Sequence, residues 1–183
     1  MKKNLLIALI AAAGIGPFAA QAQSDFGVNL GSSDQKLSVD GGGSESDRAN
    51  GFRVYAGSAF TKNFGIEGGF VKHGSIEVDL GDGNVAYSRP KTFYVAGTGT
   101  IPLSPRFSLL GKLGVGFNRT DFGYNDMSVL HRETAPFIGV GASFAFTPEV
   151  QGVVEYEHYG KLFKDDGVKI EGSMISVGVR FGF

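Results

Sequence analysis

Apolar residues alternate with small, polar or charged residues along much of the chain. In the last stretch, Ile175, Val177, Val179, Phe181 and Phe183 are apolar at every second position. Because neighbouring side chains of a strand point to opposite faces, this period predicts a strand with one apolar and one polar face. The same pattern predicts eight strands, over residues 25–31, 51–60, 64–73, 92–101, 107–119, 136–146, 150–160 and 172–183.

The connections between these strands alternate in length. Three are short (residues 61–63, 102–106 and 147–149), and the four between them are long and polar (32–50, 74–91, 120–135 and 161–171). One alternating strand by itself also fits the edge of a soluble sandwich, but outer-membrane barrels have this sorting of short periplasmic turns and long outer loops. Strands of about ten residues also match the ~9–11 needed to cross a bilayer. We therefore expect an all-β fold, an eight-stranded antiparallel transmembrane β-barrel with up-and-down topology, short periplasmic turns and long extracellular loops.

The parity of each strand assigns its side chains to lipid or to the lumen. When charged residues are turned inward, the outward set is apolar: Phe52, Val54, Ala56, Phe64, Ile66, Phe70, Phe93, Val95, Ile101, Phe107, Leu109, Leu113, Val115, Phe117, Ile138, Val140, Ala142, Phe144, Phe146, Val154 and Tyr156. An apolar outside with a charged inside is the reverse of a soluble barrel, because lipid is here the apolar phase.

Six charged residues are predicted to face the lumen. They are Arg53, Lys112 and Arg180 against Glu67, Glu155 and Glu157. Buried charges are costly unless paired, so equal numbers of the two signs favour ion pairs that cross the bore. Eight strands leave room for a filled interior, and a structural network is the prediction; a narrow or gated pore is the alternative.

The first 22 residues have the features of a cleaved signal peptide. Lys2 and Lys3 precede the apolar stretch 5–13, which is too short for a membrane helix, and Ala20-Gln21-Ala22 supplies small residues at a cleavage site. We expect a signal peptide over residues 1–22 and one barrel domain over residues 23–183, exported through the secretory pathway. The remaining 15 basic and 18 acidic residues give a net charge of −3, which does not indicate nucleic acid binding. The absence of Cys excludes a disulfide framework.

Three basic residues are predicted on the lipid side at the long-loop end. Lys72, Lys91 and Arg119 on adjacent strands are candidates for binding lipopolysaccharide phosphates; snorkelling of long basic side chains to the headgroup layer is the alternative. Since there is no Trp, the interfacial girdles are expected to consist of Phe and Tyr residues, including Tyr55, Tyr94, Tyr156 and Tyr159.

Motifs for catalysis or metal binding are weak. His73 and Ser75 have the spacing of a His–Ser pair, but their parity turns them to the lumen rim, and His158 has Gly160 where a nucleophilic Ser would be needed. The acidic, Gly-rich segments 40–47 and 79–84 do not match an EF-hand and are expected to be solvated loops. No metal, cofactor or catalytic residue is predicted, and His131 is near Glu133 alone.

The sequence resembles the OmpA-like outer-membrane β-barrel family, specifically its eight-stranded transmembrane domain. The motifs that carry the resemblance, in order, are residues 64–70 (FGIEGGF), 106–114 (RFSLLGKLG), 136–142 (PFIGVGA), 147–149 (TPE) and 154–157 (VEYE). The resemblance implies acidic lumen residues at Glu67 and Glu155, a basic one at Lys112, and a terminal signal, Phe181 and Phe183, read by the barrel-assembly machinery. Full-length members continue into a peptidoglycan-binding domain, whereas this sequence ends at Phe183, so cell-wall tethering is not expected.

These features predict a non-catalytic integral protein of the Gram-negative outer membrane. Its expected role is structural or one of surface interaction, namely envelope integrity or adhesion and ligand binding through the loops, as for a surface antigen. A small or gated pore and a lipid A-modifying barrel enzyme are the alternatives. The expected partners are membrane lipid and lipopolysaccharide, the assembly machinery, and an extracellular ligand or host surface. We expect a monomer, since a closed barrel has no free edge.

Overall fold

The computed structural model describes residues 23–39, 44–81, 84–124, 127–165 and 168–183. The predicted signal peptide lies outside these residues, as do parts of the two acidic, Gly-rich segments. Among the described residues no helix is long and apolar enough to span a membrane. The strands are β1 (Gln23–Val39), β2 (Ser44–Ala59), β3 (Phe64–Lys72), β4 (Ile76–Gly81), β5 (Asn84–Pro102), β6 (Phe107–Tyr124), β7 (Met127–Ala145), β8 (Val150–Asp165) and β9 (Val168–Gly182).

These strands form one closed antiparallel barrel. Strands that follow each other in the chain pair, except β3 and β4, and both of these pair with β5. Strand β1 pairs with β9 from Asp25↔Gly182 to Val39↔Val168 and closes the barrel. Strands β3 and β4 occupy one place in the wall, on either side of a break at residues 73–75, so the barrel is eight-stranded. The predicted fold is confirmed, including the up-and-down order.

The outward and inward sets also agree with the parity prediction. Ile66, Leu113, Val140 and Val154 are examples of outward residues that are exposed on the barrel surface. All six predicted lumen charges except Arg180 are fully buried, and Arg180 is half-buried. The polar residues therefore fill the interior, and the apolar ones form the surface that lipid covers.

The long connections differ from the prediction, because most of their residues belong to strands. Strand β1 continues to Val39 and β2 begins at Ser44, and β6 and β7 remain paired to Tyr124↔Met127. Outside the membrane both faces of a sheet contact water, and polar residues occupy both. The alternation that marks a membrane strand is therefore absent there, and the extension was not predicted from the sequence.

Beyond the membrane-facing part the barrel opens along two seams. Strands β7 and β8 pair only from Ile138↔His158 to Ala145↔Gln151, and β2 pairs with β3 only from Phe52↔Lys72 to Ala59↔Gly65. The outer parts of the strands therefore form two sheets, of order β2-β1-β9-β8 and β4-β5-β6-β7. In the first, Lys169 contacts Glu171 at 2.5 Å, and this hydrogen bond lowers the pKa of the Glu171 carboxyl.

Candidate functional site

The six predicted lumen charges meet in one cluster, which we call the lumen network. The Arg53 guanidinium contacts both Glu155 and Glu157. The Lys112 Nζ lies 2.7 Å from Glu67 Oε1, 2.7 Å from Glu155 Oε1 and 3.4 Å from Glu157 Oε1.

Arg180 joins the network from the periplasmic side. Its Nη2 lies 3.8 Å from Glu67 Oε2 and its Nε lies 3.9 Å from Asp25 Oδ1. Asp25 was missed by the sequence reasoning, although it begins the first predicted strand with the parity of the inward residues. The structure therefore adds a seventh charged residue at the lower edge of the network.

Each glutamate of the network also accepts a hydrogen bond from a neutral side chain. The Tyr94 hydroxyl donates to Glu67 at 2.5 Å and the Tyr159 hydroxyl donates to Glu157 at 2.6 Å. The Asn29 amide donates to Glu155 Oε2 at 3.0 Å. A buried ion pair is stable only when such additional bonds satisfy its remaining lone pairs, so these neutral donors are part of what makes the network possible.

The Tyr55 ring lies in the middle of the cations. Arg53 Cζ is 4.3 Å from its centroid, Lys112 Nζ is 4.9 Å and Arg180 Cζ is 5.5 Å. Cation–π contacts of this kind are strongest where the ring and the cation are both shielded from water. The ring therefore stabilises three like charges that approach each other closely.

A layer of buried apolar side chains covers the network on its outer side. Tyr94 and Phe137 stack at 4.4 Å, and Phe137 contacts Tyr159 at 5.3 Å between ring centroids. Met174 and Leu162 are buried in the same cluster. This layer fills the bore between the network and the outer mouth.

A chain of hydrogen bonds lies above the apolar layer and has His73 at its centre. Ser33 Oγ is 2.9 Å from His73 Nδ1, and His73 Nε2 is 2.9 Å from Thr92 Oγ1. Thr92 donates to Asn118 Oδ1 at 2.7 Å. Because the Thr92 proton is engaged there, His73 Nε2 donates to Thr92, and in the neutral imidazole Nδ1 accepts from Ser33.

Strand β8 bends across the outer mouth at Gly160, which has a φ of 63°. Beyond this bend β8 no longer pairs with β7, and side chains of β6 replace the lost partner. Asn118 donates to the carbonyl oxygens of Tyr159 at 3.0 Å and Lys161 at 2.6 Å, and Thr120 donates to that of Leu162 at 3.3 Å. The bend closes the lumen from the outer side.

At the periplasmic end a small cavity of about 60 Å³ reaches the lower edge of the network. Asp25, Lys112 and Arg180 lie on its inner wall, and Lys62 and Asn63 lie at its turn. Its volume suffices for a few water molecules and not for a solute that would cross the membrane. Within the described residues the bore is therefore blocked by charged, apolar and hydrogen-bonded layers in succession.

His73 and Ser75, which have the spacing of a His–Ser pair, lie in different environments. His73 is fully buried, and its Nε2 contacts Thr92, whereas a catalytic His–Ser pair would need a carboxylate there. Ser75 is exposed and takes no part in the hydrogen bonds around His73. His131 Nε2 lies 3.1 Å from Glu133 Oε1. In the part of the chain that the structure describes, no group of three His, Asp or Glu side chains is arranged to hold a metal ion.

The predicted tyrosine girdle is wrong at three of its four members. Tyr55, Tyr94 and Tyr159 are buried in the lumen, and Tyr156 alone of the four is exposed on the outer surface. Their side chains point inward, and their hydroxyl groups form hydrogen bonds with carboxylate or guanidinium groups in the lumen and not with lipid headgroups.

The candidate lipopolysaccharide residues face outward and lie side by side. Lys72 is directly opposite Lys91, and Lys91 is directly opposite Arg119. At the other end of the barrel, Phe181 is opposite Phe26, and Phe183 exchanges two backbone hydrogen bonds with Ser24 while its side chain is 80% exposed.

The model of the outer membrane protein beta-barrel domain matches residues 5–183. The chain belongs to this family. Similar solved structures include Ail, the attachment invasion locus protein of Yersinia pestis, with 20% identity, a TM-score of 0.59, and coverage of 86% of this chain and 99% of Ail. Neisserial surface protein A has 17% identity and a TM-score of 0.63 over 86% of this chain and 97% of its own. The N-terminal barrel domain of Pseudomonas aeruginosa OprF has 12% identity and a TM-score of 0.57, covering 89% of this chain and 100% of that one. No curated protein matches the sequence.

Membership of this outer-membrane barrel family confirms the predicted resemblance and the location of the chain as an integral outer-membrane protein. At these identities the solved structures show the fold alone. What this barrel does must therefore be argued from its own residues.

Proposed function

We propose that this barrel is a non-catalytic outer-membrane protein that acts through its outer surface and not through its lumen. The observation that carries the proposal is the blocked bore. Arg53, Lys112 and three glutamates form a paired network, and Phe137 and the Gly160 bend close the space above it. A barrel that transports solutes needs a continuous aqueous path, and eight strands have little room for one.

The strands that extend past the membrane support a role in surface contact. Strand β6 has its last apolar outward residue of the membrane part at Phe117 and continues to Tyr124, and β1 and β2 pair out to Ser38↔Ser44. Paired strands hold their side chains in fixed positions, so a partner binds them with less loss of entropy than a flexible loop. We propose that these rigid outer sheets contact an extracellular ligand or a host surface, and that the protein also contributes to envelope integrity.

The fold comparison agrees with this role by analogy only. The solved structure of Ail is of a complex with the heparin analogue sucrose octasulfate, and the name of Ail refers to attachment and invasion. A sulfated polysaccharide is therefore a reasonable first probe for the outer sheets of this chain.

The test compares cells that carry the wild-type chain with cells that carry a shortened hairpin. Asp34 and Arg48 are directly opposite, and Arg48 Nε lies 3.2 Å from Asp34 Oδ2, so replacing residues 35–47 by Asn-Gly gives a two-residue turn in the same register. Residues 122–129 are replaced in the same way between the opposite pair Asp121 and Leu130. Both variants keep the charged lumen network and the apolar layer above it, although the first also removes the buried Gln35, which donates to the Gly74 carbonyl oxygen.

Adherence is measured to immobilised heparin and to a cultured epithelial monolayer, and the lipid A of each strain is examined by mass spectrometry. The proposal expects adherence that depends on the wild-type chain, falls with one of the shortened hairpins, and leaves the lipid A spectrum unchanged. Equal adherence of all strains, including one that lacks the gene, contradicts the surface role. A lipid A species that appears only with the wild-type gene contradicts the non-catalytic role.

A further inference from the structure

Four basic residues form a continuous row on the outer face of the barrel. Lys72 on β3 is directly opposite Lys91 on β5, Lys91 is opposite Arg119 on β6, and Arg119 is opposite Arg132 on β7. We call these four residues the basic row. Arg132 was not identified by the sequence reasoning, because it lies in a segment predicted to be a loop.

The basic row begins where the apolar outer surface ends. A parallel row of Phe residues lies two positions closer to the centre of the bilayer along each strand. Phe70 is opposite Phe93, and Phe93 is opposite Phe117. The Phe70 and Phe93 ring centroids are 4.8 Å apart. Aromatic side chains mark the boundary between the hydrocarbon and the headgroups, so the row lies at the level of the outer-leaflet headgroups.

Protein groups balance the charge of the row only in part. The Asp121 carboxylate lies 3.3 Å from Lys91 Nζ and 3.9 Å from Arg119 Nε. Across the described ranges, no acidic side chain lies within salt-bridge distance of Lys72 or Arg132. Like charges directly opposite each other destabilise a sheet, and here three such pairs follow in succession. Snorkelling explains a single basic residue at this level, but it does not explain a row of them.

A cleft lies at one end of the basic row. It has a volume of about 380 Å³ and is found where β3 ends and β4 begins, between Lys72, Arg89 and Lys91. Arg89 is held with its guanidinium 4.3 Å above the Tyr87 ring. The break at residues 73–75 thus creates a concave, positively charged space on a surface that is otherwise convex.

We propose that the basic row and its cleft bind the phosphate groups of an outer-leaflet glycolipid of the lipid A class. Phosphate oxygens accept charge-assisted hydrogen bonds from Lys and Arg, and the acyl chains of such a lipid lie against Phe70, Phe93 and Phe117. The phosphates offset the repulsion between the opposed cations. This site is independent of what the outer sheets contact, so it stands or falls separately from the proposed surface role.

The test uses two variants that each remove one Lys and one Arg. K72Q/R132Q removes the two cations of the row that have no acidic partner among the described residues. K62Q/R106Q is the matched control, because Lys62 and Arg106 are exposed on the short turns at the opposite end of the barrel. Folded protein is titrated with bisphosphorylated lipid A, with the same lipid after removal of its phosphates, and with inorganic phosphate in solution.

The wild-type barrel and K62Q/R106Q are expected to bind bisphosphorylated lipid A with the same affinity. K72Q/R132Q should bind on the order of tenfold more weakly, since a basic residue near an anionic surface contributes about fivefold in affinity and salt reduces it. The difference should disappear with the dephosphorylated lipid. Equal weakening in the two variants, or equal affinity for the lipid with and without phosphates, would overturn the proposal. Inorganic phosphate binding as tightly as the lipid would assign the site to a soluble anion.

Discussion

Replacing Arg53 by Met removes the cation that lies between two buried glutamates. The wild-type network has three basic residues, so R53M leaves its acidic residues with Lys112 and Arg180 alone. Breaking a buried ion pair by removing one partner typically costs about 3–5 kcal/mol, because the remaining charge is left uncompensated. Loss of the contact between Arg53 and the Tyr55 ring acts in the same direction. We expect R53M to lower the free energy of unfolding by about 3–5 kcal/mol.

A second substitution separates the charge effect from the loss of packing. R53M/E157Q removes one charge of each sign, and the Gln side chain still accepts the hydrogen bond that the Tyr159 hydroxyl donates to Glu157 in the wild-type chain. The double variant should be more stable than R53M, with a coupling energy of about 1–3 kcal/mol. R48M is the surface control, since the exposed pair of Arg48 with Asp34 is expected to contribute no more than about 1 kcal/mol.

The assay is urea-induced unfolding in phospholipid vesicles of each of these variants and of the single variant E157Q, which the comparison with R53M/E157Q requires. The chain has no Trp, so the folded fraction is followed by far-UV circular dichroism and by the shift in gel migration on boiling. A cost below about 1 kcal/mol for R53M, or additive effects of R53M and E157Q, would refute the idea that the lumen is held together by paired charges.

Two further substitutions test the outer cap and the chain terminus. Gly160→Ala should destabilise the barrel by about 1–2 kcal/mol, since φ is 63° there and an added Cβ would lie 2.7 Å from Ala135 Cβ. Gly111→Ala is the control, because a Cβ added there meets nothing within 4 Å. Equal urea midpoints of the two variants would contradict the strain at Gly160. Phe183→Ala should lower the amount of barrel assembled in cells more than it lowers the stability of the assembled protein. Phe64→Ala, which also removes an exposed Phe near the periplasmic turns, should show no such excess loss of assembly. Pulse-chase labelling measures assembly and urea unfolding measures stability; equal losses of assembly and stability in Phe183→Ala would contradict an assembly signal.

The membrane-spanning half of the structure follows closely from the sequence. Between Phe107 and Phe117, lipid on one side and a packed lumen on the other impose strict alternation, and Lys112 fixes which face is inside. The six lumen charges were found by this rule. Their pairing was not, because it depends on how strands far apart in the chain are staggered, and Arg53 on β2 reaches Glu155 and Glu157 on β8 across the bore.

The outer half is less predictable for a physical reason. Once a strand leaves the membrane, water replaces lipid and both faces tolerate polar residues, so the segment 120–135 has no period and yet is largely paired strand. The tyrosines failed for a related reason. Their amphipathic rings suit an interface and a polar lumen equally well. Only parity within a strand decides in favour of the lumen: Tyr55 has the parity of the inward Arg53, and Tyr94 lies between the outward Phe93 and Val95.

Single-channel recording in planar bilayers tests the central claim most directly, namely that this outer-membrane barrel has a blocked lumen and acts through its outer surface. The recording uses wild-type protein whose folded state has been verified by its shift in gel migration on boiling. The blocked lumen predicts no conductance above that of the protein-free bilayer, at any voltage the bilayer withstands. Reproducible channel openings of steady amplitude, retained after repeated purification, would contradict the blocked lumen and show that the barrel is a pore.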